Sequence, residues 1–401
     1  MSDGRTSFVP PRPIYLDHHA TTPVDPRVLA AMRPWWEANF ANPHSVDHEM
    51  GRQAEAAVDQ ARAAVAALID AEAQEIIFTS GATEANNLAI KGCARFAAAR
   101  NNQRRRIILP ETEHPCVLQS ARDLKAEGFE PLLLPVGPGG VLDPGGLRRA
   151  LAEAPTLLVS VMAVNNEIGV AQDLAPLASM AHEAGALFHT DAAQAAGRVP
   201  LSVKALGVDL MSLSAHKLYG PKGVGALFVR RRPRVRLVPL FSGGGQERGL
   251  RSGTLPAPLL VGFGEAATLA AAEGPEEQRR IGTLRDRLHN RLRDAIPGLL
   301  RNGDAQAAVA GNLNLAFPHV TAQAMLRRLD GLCVSTGSAC SSAELEPSHV
   351  LRALGLSAER VTASLRIGIG RFTSPEDLER AAELLIGAWR RALPATRDAA
   401  E

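Results

Sequence analysis

Between residues 70 and 231 the chain alternates short apolar runs with stretches of helical spacing, and that alternation decides the fold class. Residues 75–78, 106–109, 131–134, 156–164, 186–190, 209–214 and 224–229 read as strands. The run at 156–164, TLLVSVMAV, is apolar almost throughout, as a strand buried on both faces must be. Strands separated by helices need crossovers, and right-handed crossovers build a mainly parallel sheet covered on both sides. The expected class is therefore α/β. In such sheets ligands collect at the carboxyl ends of the strands. That rule points to four segments, 80–83, 165–167, 191–194 and 214–217.

The character of the chain changes after about residue 264. Ile281, Leu284, Leu288, Leu292 and Ile296 form a helical stripe on the charged segment 276–296. Segments 312–317 and 364–369 alternate like half-buried strands. Ser374, Pro375 and two acids open a last helix with good start chemistry. A smaller α+β unit is expected here, since 401 residues are too many for one small core. With 46% hydrophobic and 21% charged residues the composition excludes a disordered tail, a collagen and a small disulfide scaffold. A net charge of +2 excludes a chain-wide polycation, so no direct nucleic-acid partner is expected. No apolar run reaches the length of a membrane span, and the first residues lack a signal-peptide core. Four cysteines without a Cys-x-x-Cys pair suit a reducing compartment, so a cytoplasmic address with no membrane partner is expected.

Within those segments a few side chains carry chemistry. Lys217, one of only five lysines, ends an apolar strand; it reads either as a turn lysine or as a partly desolvated amine nucleophile. Asp191 ends the strand before it, an expensive place for a carboxylate unless a cation, a metal or a helix cap engages it. The ring nitrogen of pyridoxal phosphate is such a cation, and Gln194 would then donate to the ring's phenolic oxygen. Ser80, Gly81, Ala82 and Thr83 make a glycine turn into a helix, an anion site suited to a phosphate although many helices start this way. Ser214 and His216 flank the lysine and add donors. His114 is either plain surface or an imidazole that stacks on a planar ring and moves protons. Arg366 shares a face with Ser364, Gly368 and Gly370, where it is either a carboxylate fork or a solvated edge residue. Cys93, Cys116 and Cys333 read as packing. Cys340 sits among eight small residues, 335–342, a segment expected to be mobile, and an exposed thiol there is a liability unless it reacts.

Together these segments resemble the cysteine desulfurases of the group serving nitrogenase maturation and housekeeping iron–sulfur cluster assembly, within the class V aminotransferase superfamily. The resemblance rests on FTSGATEANNLAIKG (78–92), TEHPCVL (112–118), VNNEIGV (164–170), HTDAAQ (189–194), SAHKLYGPKGVGAL (214–227), GGGQERGLRSGT (243–254) and STGSACSSAELEPSHVLRALG (335–355). It implies the fold type I of pyridoxal-phosphate aminotransferases. An arm, 1–22, would join the small domain, followed by a large cofactor-binding domain, 23–264, with a mainly parallel seven-stranded sheet. A small domain, 265–401, would carry the mobile cysteine loop, 335–346. The implied activity is removal of sulfur from L-cysteine, giving L-alanine and a persulfide on Cys340, with a selenocysteine lyase or an aminotransferase of the same fold as the alternative.

Residue by residue, the resemblance implies that Lys217 carries the cofactor's Schiff base and Cys340 accepts the sulfur. Asp191 would pair with the pyridine nitrogen, Gln194 with the phenolic oxygen, and His114 would stack on the ring. Gly81, Ala82, Thr83, Ser214 and His216 would hold the phosphate, and Thr254 would reach the phosphate of a neighbouring subunit in a homodimer. Asn166 and Arg366 would grip the substrate carboxylate. No resident metal is implied; the persulfide would pass to an acceptor protein such as an iron–sulfur scaffold. Ala215, Ala193 and the pair His18-His19 depart from the usual residues, and only 28 residues follow Thr373, so the tail that grips a scaffold is expected to be short.

Overall fold

The computed structural model of the chain describes residues 12–337 and 347–394. Cys340 therefore lies outside the described residues, as does the rest of the segment 338–346. The described strands are β1 (Ile14–Tyr15), β2 (Ile76–Thr79), β3 (Arg106–Pro110), β4 (Glu130–Leu134), β5 (Thr156–Ser160), β6 (Leu187–Asp191), β7 (Leu210–Ser214) and β8 (Gly225–Val229). They continue with β9 (Leu300–Arg301), β10 (Asn312–Ala316), β11 (Leu332–Cys333) and β12 (Ser364–Gly368).

Seven strands make one sheet in the order β2-β8-β7-β6-β5-β3-β4. The five from β7 to β4 run parallel, and β8 is antiparallel to both its neighbours. The α/β class and the mainly parallel seven-stranded sheet are thus both present. Every residue of β2, β5, β7 and β8 is buried, which their unbroken apolar or small-polar sequences allow.

The strand expected at 156–164 is shorter, ending at Ser160. Val161 and Ala163 still donate to the carbonyls of His189 and Asp191 at 3.0 and 2.9 Å. The N–H of Met162 between them goes instead to the carboxyl of Glu113, so the pairing with β3 stops there.

The helical stripe at 276–296 belongs to a much longer helix, Ala257–Ala295. Its first half buries Leu260, Phe263, Ala266 and Ala267 against the core of the large sheet. Its second half buries Ile281, Leu284, Leu288 and Leu292 in another core, with Leu313, Leu365 and Leu385. Over that second core lie the sheet β12-β10-β9 and the helix Pro375–Ala392, whose N-terminus is closed by a Ser374–Asp377 capping box. β1 runs beside β11, and Leu16 enters the second core. Among the described residues no helix is long and apolar enough to cross a membrane.

One ion pair holds the segment 243–254 against the large sheet. Arg62, from the helix Glu49–Leu68, donates to both oxygens of Glu247 at 2.8 and 2.7 Å, and the N–H of Phe78 in β2 adds a third bond at 2.6 Å. The guanidinium also lies 4.6 Å from the centre of the Phe78 ring. Both partners are buried, so removing one strands the other's charge. Glu247→Ala is expected to lower stability by about 3–5 kcal/mol in urea unfolding. A loss below ~1 kcal/mol would mean the pair holds nothing.

Candidate active site

A cavity of about 500 Å³ opens at the carboxyl ends of β2, β6 and β7, and all four sequence-selected segments border it. At one end β2 passes through Ser80 and Gly81 into the helix Ala82–Ala99. Gly81 has φ +152°, and nothing crowds the space where a side chain would stand. Across the turn, a Cβ on Gly225 of β8 would meet the Cα of Gly81 at 2.7 Å, so glycine there lets turn and sheet close up. The first helical bond runs from Ala85 N–H to Gly81 O, which leaves the N–H groups at the helix start and its dipole directed at the cavity.

Ser214 ends β7, and the next turn, Ala215–Lys217, adds His216 and Lys217. Nδ1 of His216 lies 3.0 Å from the Thr21 hydroxyl. Burial, then the charges of Lys217 and Lys222, push its pKa down to about 4. A neutral His216 accepting at Nδ1 keeps a hydrogen on Nε2 to offer an anion.

Asp191 ends β6 at 5% exposure. Asn86 donates to Oδ2 at 2.7 Å and the Ala193 N–H to Oδ1 at 2.9 Å, so two neutral donors hold the carboxylate in place. The Lys217 ammonium donates to the carbonyls of His19 and Ala20 at 2.6 and 2.8 Å. Gln194 is fixed by its own bond to the His19 carbonyl, 2.9 Å, and by Arg198, which donates to its amide oxygen. His114 caps the helix Pro115–Asp123 through Nδ1; burial pushes its pKa down, Asp191 opposing.

Arg366 reaches the cavity from β12 and is 3% exposed, so it is no solvated edge residue. Its Nη2 donates to Asp17 Oδ1 at 2.7 Å and to the Ser335 hydroxyl at 2.9 Å, and Nη1 donates to the Asn166 carbonyl at 3.0 Å. Its Nε has no partner among the described residues. Asn166 lines the same cavity, in a turn where Asn165 Oδ1 accepts from the N–H groups of Glu167 and Ile168. Thr254 is exposed and does not border the cavity.

Several residues at the cavity wall or directly behind it escaped the sequence reading. Cys116 packs against a core, as expected, but it also borders the cavity, because Pro115 starts its helix directly after His114 and turns position 116 inward. Asn86 lies one turn beyond Thr83, on the helix face that a 3.6-residue period would select. His19 and Asp17 arrive from far along the chain, and no local pattern marks them. Cys93 is buried in a core, as expected.

Pyridoxal phosphate needs an amine, an opposing carboxylate, an anion cradle and a flat neighbour in one cavity. Lys217, Asp191, the Gly81–Thr83 helix start with Ser214 and His216, and His114 supply these, and the open space at Gly81 leaves room for a phosphate. The residues fit the cofactor.

The aminotransferase class-V family model matches residues 14–381. The chain is 51% identical over 380 residues to the cysteine desulfurase IscS of Ehrlichia chaffeensis, covering 94% of this chain and 92% of that protein. It is 52% identical over 375 residues to the mitochondrial cysteine desulfurase of Drosophila melanogaster, covering 94% and 80%. Among solved structures, a NifS-like protein superposes with a TM-score of 0.87 at 33% identity, over 94% of this chain and 100% of that one.

Burial pushes the pKa values of His18, His189 and His216 down to about 4 in the folded state. The unfolded chain holds them near 6.5, so below that pH it binds more protons than the native state. Their contribution is present above about pH 6.5 and is lost as pH falls toward 4. The raised carboxyls of Glu113 and Glu167 act the other way, but the depressed histidines, His19 and His114 among them, outnumber them, so urea midpoints should decline from pH 7 to pH 5. A flat or rising profile would contradict the buried neutral histidines.

Proposed function

This chain belongs to the aminotransferase class-V family, and on that premise we propose that it is a pyridoxal-phosphate-dependent cysteine desulfurase. It takes sulfur from L-cysteine, releases L-alanine and leaves a persulfide on Cys340. The observation that carries this reading is one cavity uniting Lys217, Asp191, His114 and Arg366, in a chain half identical to proteins named cysteine desulfurase.

Bound pyridoxal phosphate supplies an electron sink for the negative charge left at the substrate Cα. Asp191 keeps the ring nitrogen protonated. Arg366 and Asn166 receive the substrate carboxylate, and the Nε and one Nη1 hydrogen of Arg366 are left over once Asp17, Ser335 and Asn166 are served. Lys217 moves the Cα proton through its Nζ. Cys340 attacks the substrate sulfur as thiolate; the carbon–sulfur bond breaks, its electron pair stays with carbon, and carbon takes a proton. Cysteine and thiol become alanine and persulfide, with no outside oxidant. His114, held neutral by burial, is the group that takes the Cys340 proton.

The persulfide passes to an acceptor protein, which we take to be an iron–sulfur scaffold. The working unit is a homodimer, a reading that exposed Thr254 at the end of the clamped segment 243–254 supports. Cys93, Cys116 and Cys333 are unpaired thiols, which suits a reducing cytoplasm.

Lys217→Ala should lose the visible cofactor absorbance and all turnover. Cys340→Ser should keep cofactor and cysteine binding yet release neither alanine nor sulfide, and normal turnover by that variant would sink the persulfide step. A keto acid as product in place of alanine would mark an aminotransferase. Arg366→Ala should raise KM for cysteine by roughly 10–100-fold, the scale of a lost charge-assisted bond.

A further inference from the structure

Cys116 has a set of partners that packing alone does not call for. Its sulfur lies 3.0 Å from Nδ1 of His114, and its own N–H donates to that same nitrogen at 3.2 Å. The amide nitrogen of Asn86 reaches the sulfur at 3.2 Å and Asp191 Oδ2 at 2.7 Å. Only a donor can face the Asp191 carboxylate, so the orientation of the Asn86 amide is settled. The sulfur then accepts from Asn86 and from the Thr83 hydroxyl, and its own hydrogen is left for Nδ1. The main-chain N–H at the start of the helix Pro115–Asp123 cannot turn away either. A hydrogen on Nδ1 would meet it head-on.

We propose that Cys116 is a positioning residue for His114. Its thiol and main-chain N–H together hold Nδ1 as an acceptor, so the neutral imidazole carries its hydrogen on Nε2. Asn86 ties this arrangement to Asp191, so the carboxylate at the end of β6 and the imidazole of His114 are joined through two side chains. In this form the open nitrogen, Nε2, already carries a hydrogen, so His114 takes the Cys340 proton only after giving that hydrogen up. Protonating Nδ1 to make the imidazolium means displacing both donors, which delays protonation to lower pH. The titratable and charged groups around the ring are Asp191, Lys217 and His349, with Glu113 preceding it in the chain and Cys116 itself. The inference rests on the desulfurase reading for the role of His114, but its geometry does not.

The test uses the full chain loaded with pyridoxal phosphate and labelled with ¹⁵N-histidine. Two-bond ¹H–¹⁵N spectra report which ring nitrogen carries the hydrogen, and His114 is assigned by the signal missing from His114→Gln. The wild type should show the Nε2–H form near neutral pH, and Cys116→Ser, which keeps a donor, should retain it. Cys116→Ala, which keeps the main-chain N–H, should retain the Nε2–H form but, with one of the two donors to Nδ1 gone, raise the His114 titration by at least about half a pH unit, with the acid limb of kcat/KM moving by the same amount. Hydrogen on Nδ1 in the wild type, or an unchanged titration in Cys116→Ala, would overturn the proposal. The expected tautomers in a protein that releases no alanine or sulfide from cysteine would support this proposal while the desulfurase reading fails.

Discussion

Asp191 stands at the end of β6 with almost no solvent and no choice of position, because the main chain of Ala193 and the amide of Asn86 occupy its oxygens. A buried carboxylate of this kind is costly unless a cation meets it. The groups that converge around it follow from that cost. Lys217 comes from the turn after the neighbouring strand β7, Gln194 from the turn directly after β6, and Asn86 from the helix behind. A parallel sheet makes such convergence inexpensive, since every strand from β7 to β4 points its carboxyl end to one side.

The second core is joined to this centre by charge rather than by apolar surface alone. Arg371, just beyond β12, donates to Glu277 and Asp25 at 2.6 and 2.8 Å, and its guanidinium lies 4.3 Å from the centre of the Tyr219 ring. Tyr219 follows Lys217 by two residues, and its hydroxyl accepts from the Arg371 N–H. Five residues earlier Arg366 meets Asp17 in the same manner. These nearly buried pairs set the direction from which Arg366 enters the cavity. Buried pairs of this kind add orientation more surely than they add stability.

Much of this was legible in the chain itself. The strand-and-helix alternation exposed the parallel sheet, and the rule that ligands sit at carboxyl strand ends picked out Asp191, Lys217 and the Gly81 turn. Where reading failed, the cause was distance or masking by composition. Cys116 looked like any cysteine in a helical run, and only the turn forced by Pro115 brings it to the cavity. The helix Ala257–Ala295 was seen only in its second half, because its first half is so rich in alanine and glycine that no charged face marks its period. β5 looked longer than it is because apolar residues continue past Ser160 while the carboxyl of Glu113 takes over the N–H of Met162.

Local patterns act over a few residues, so the sequence alone determined the α/β class, the order of strands and helices and the kinds of group at the strand ends. Tertiary structure decided which groups meet at the cavity wall and behind it: Asp17 with Arg366, the His19 carbonyl with Lys217, and Asn86 with both Asp191 and Cys116. The reason is physical. A hydrogen bond depends on the final placement of two groups in space, and no periodicity along the chain encodes contacts between residues that lie from 30 to 349 positions apart.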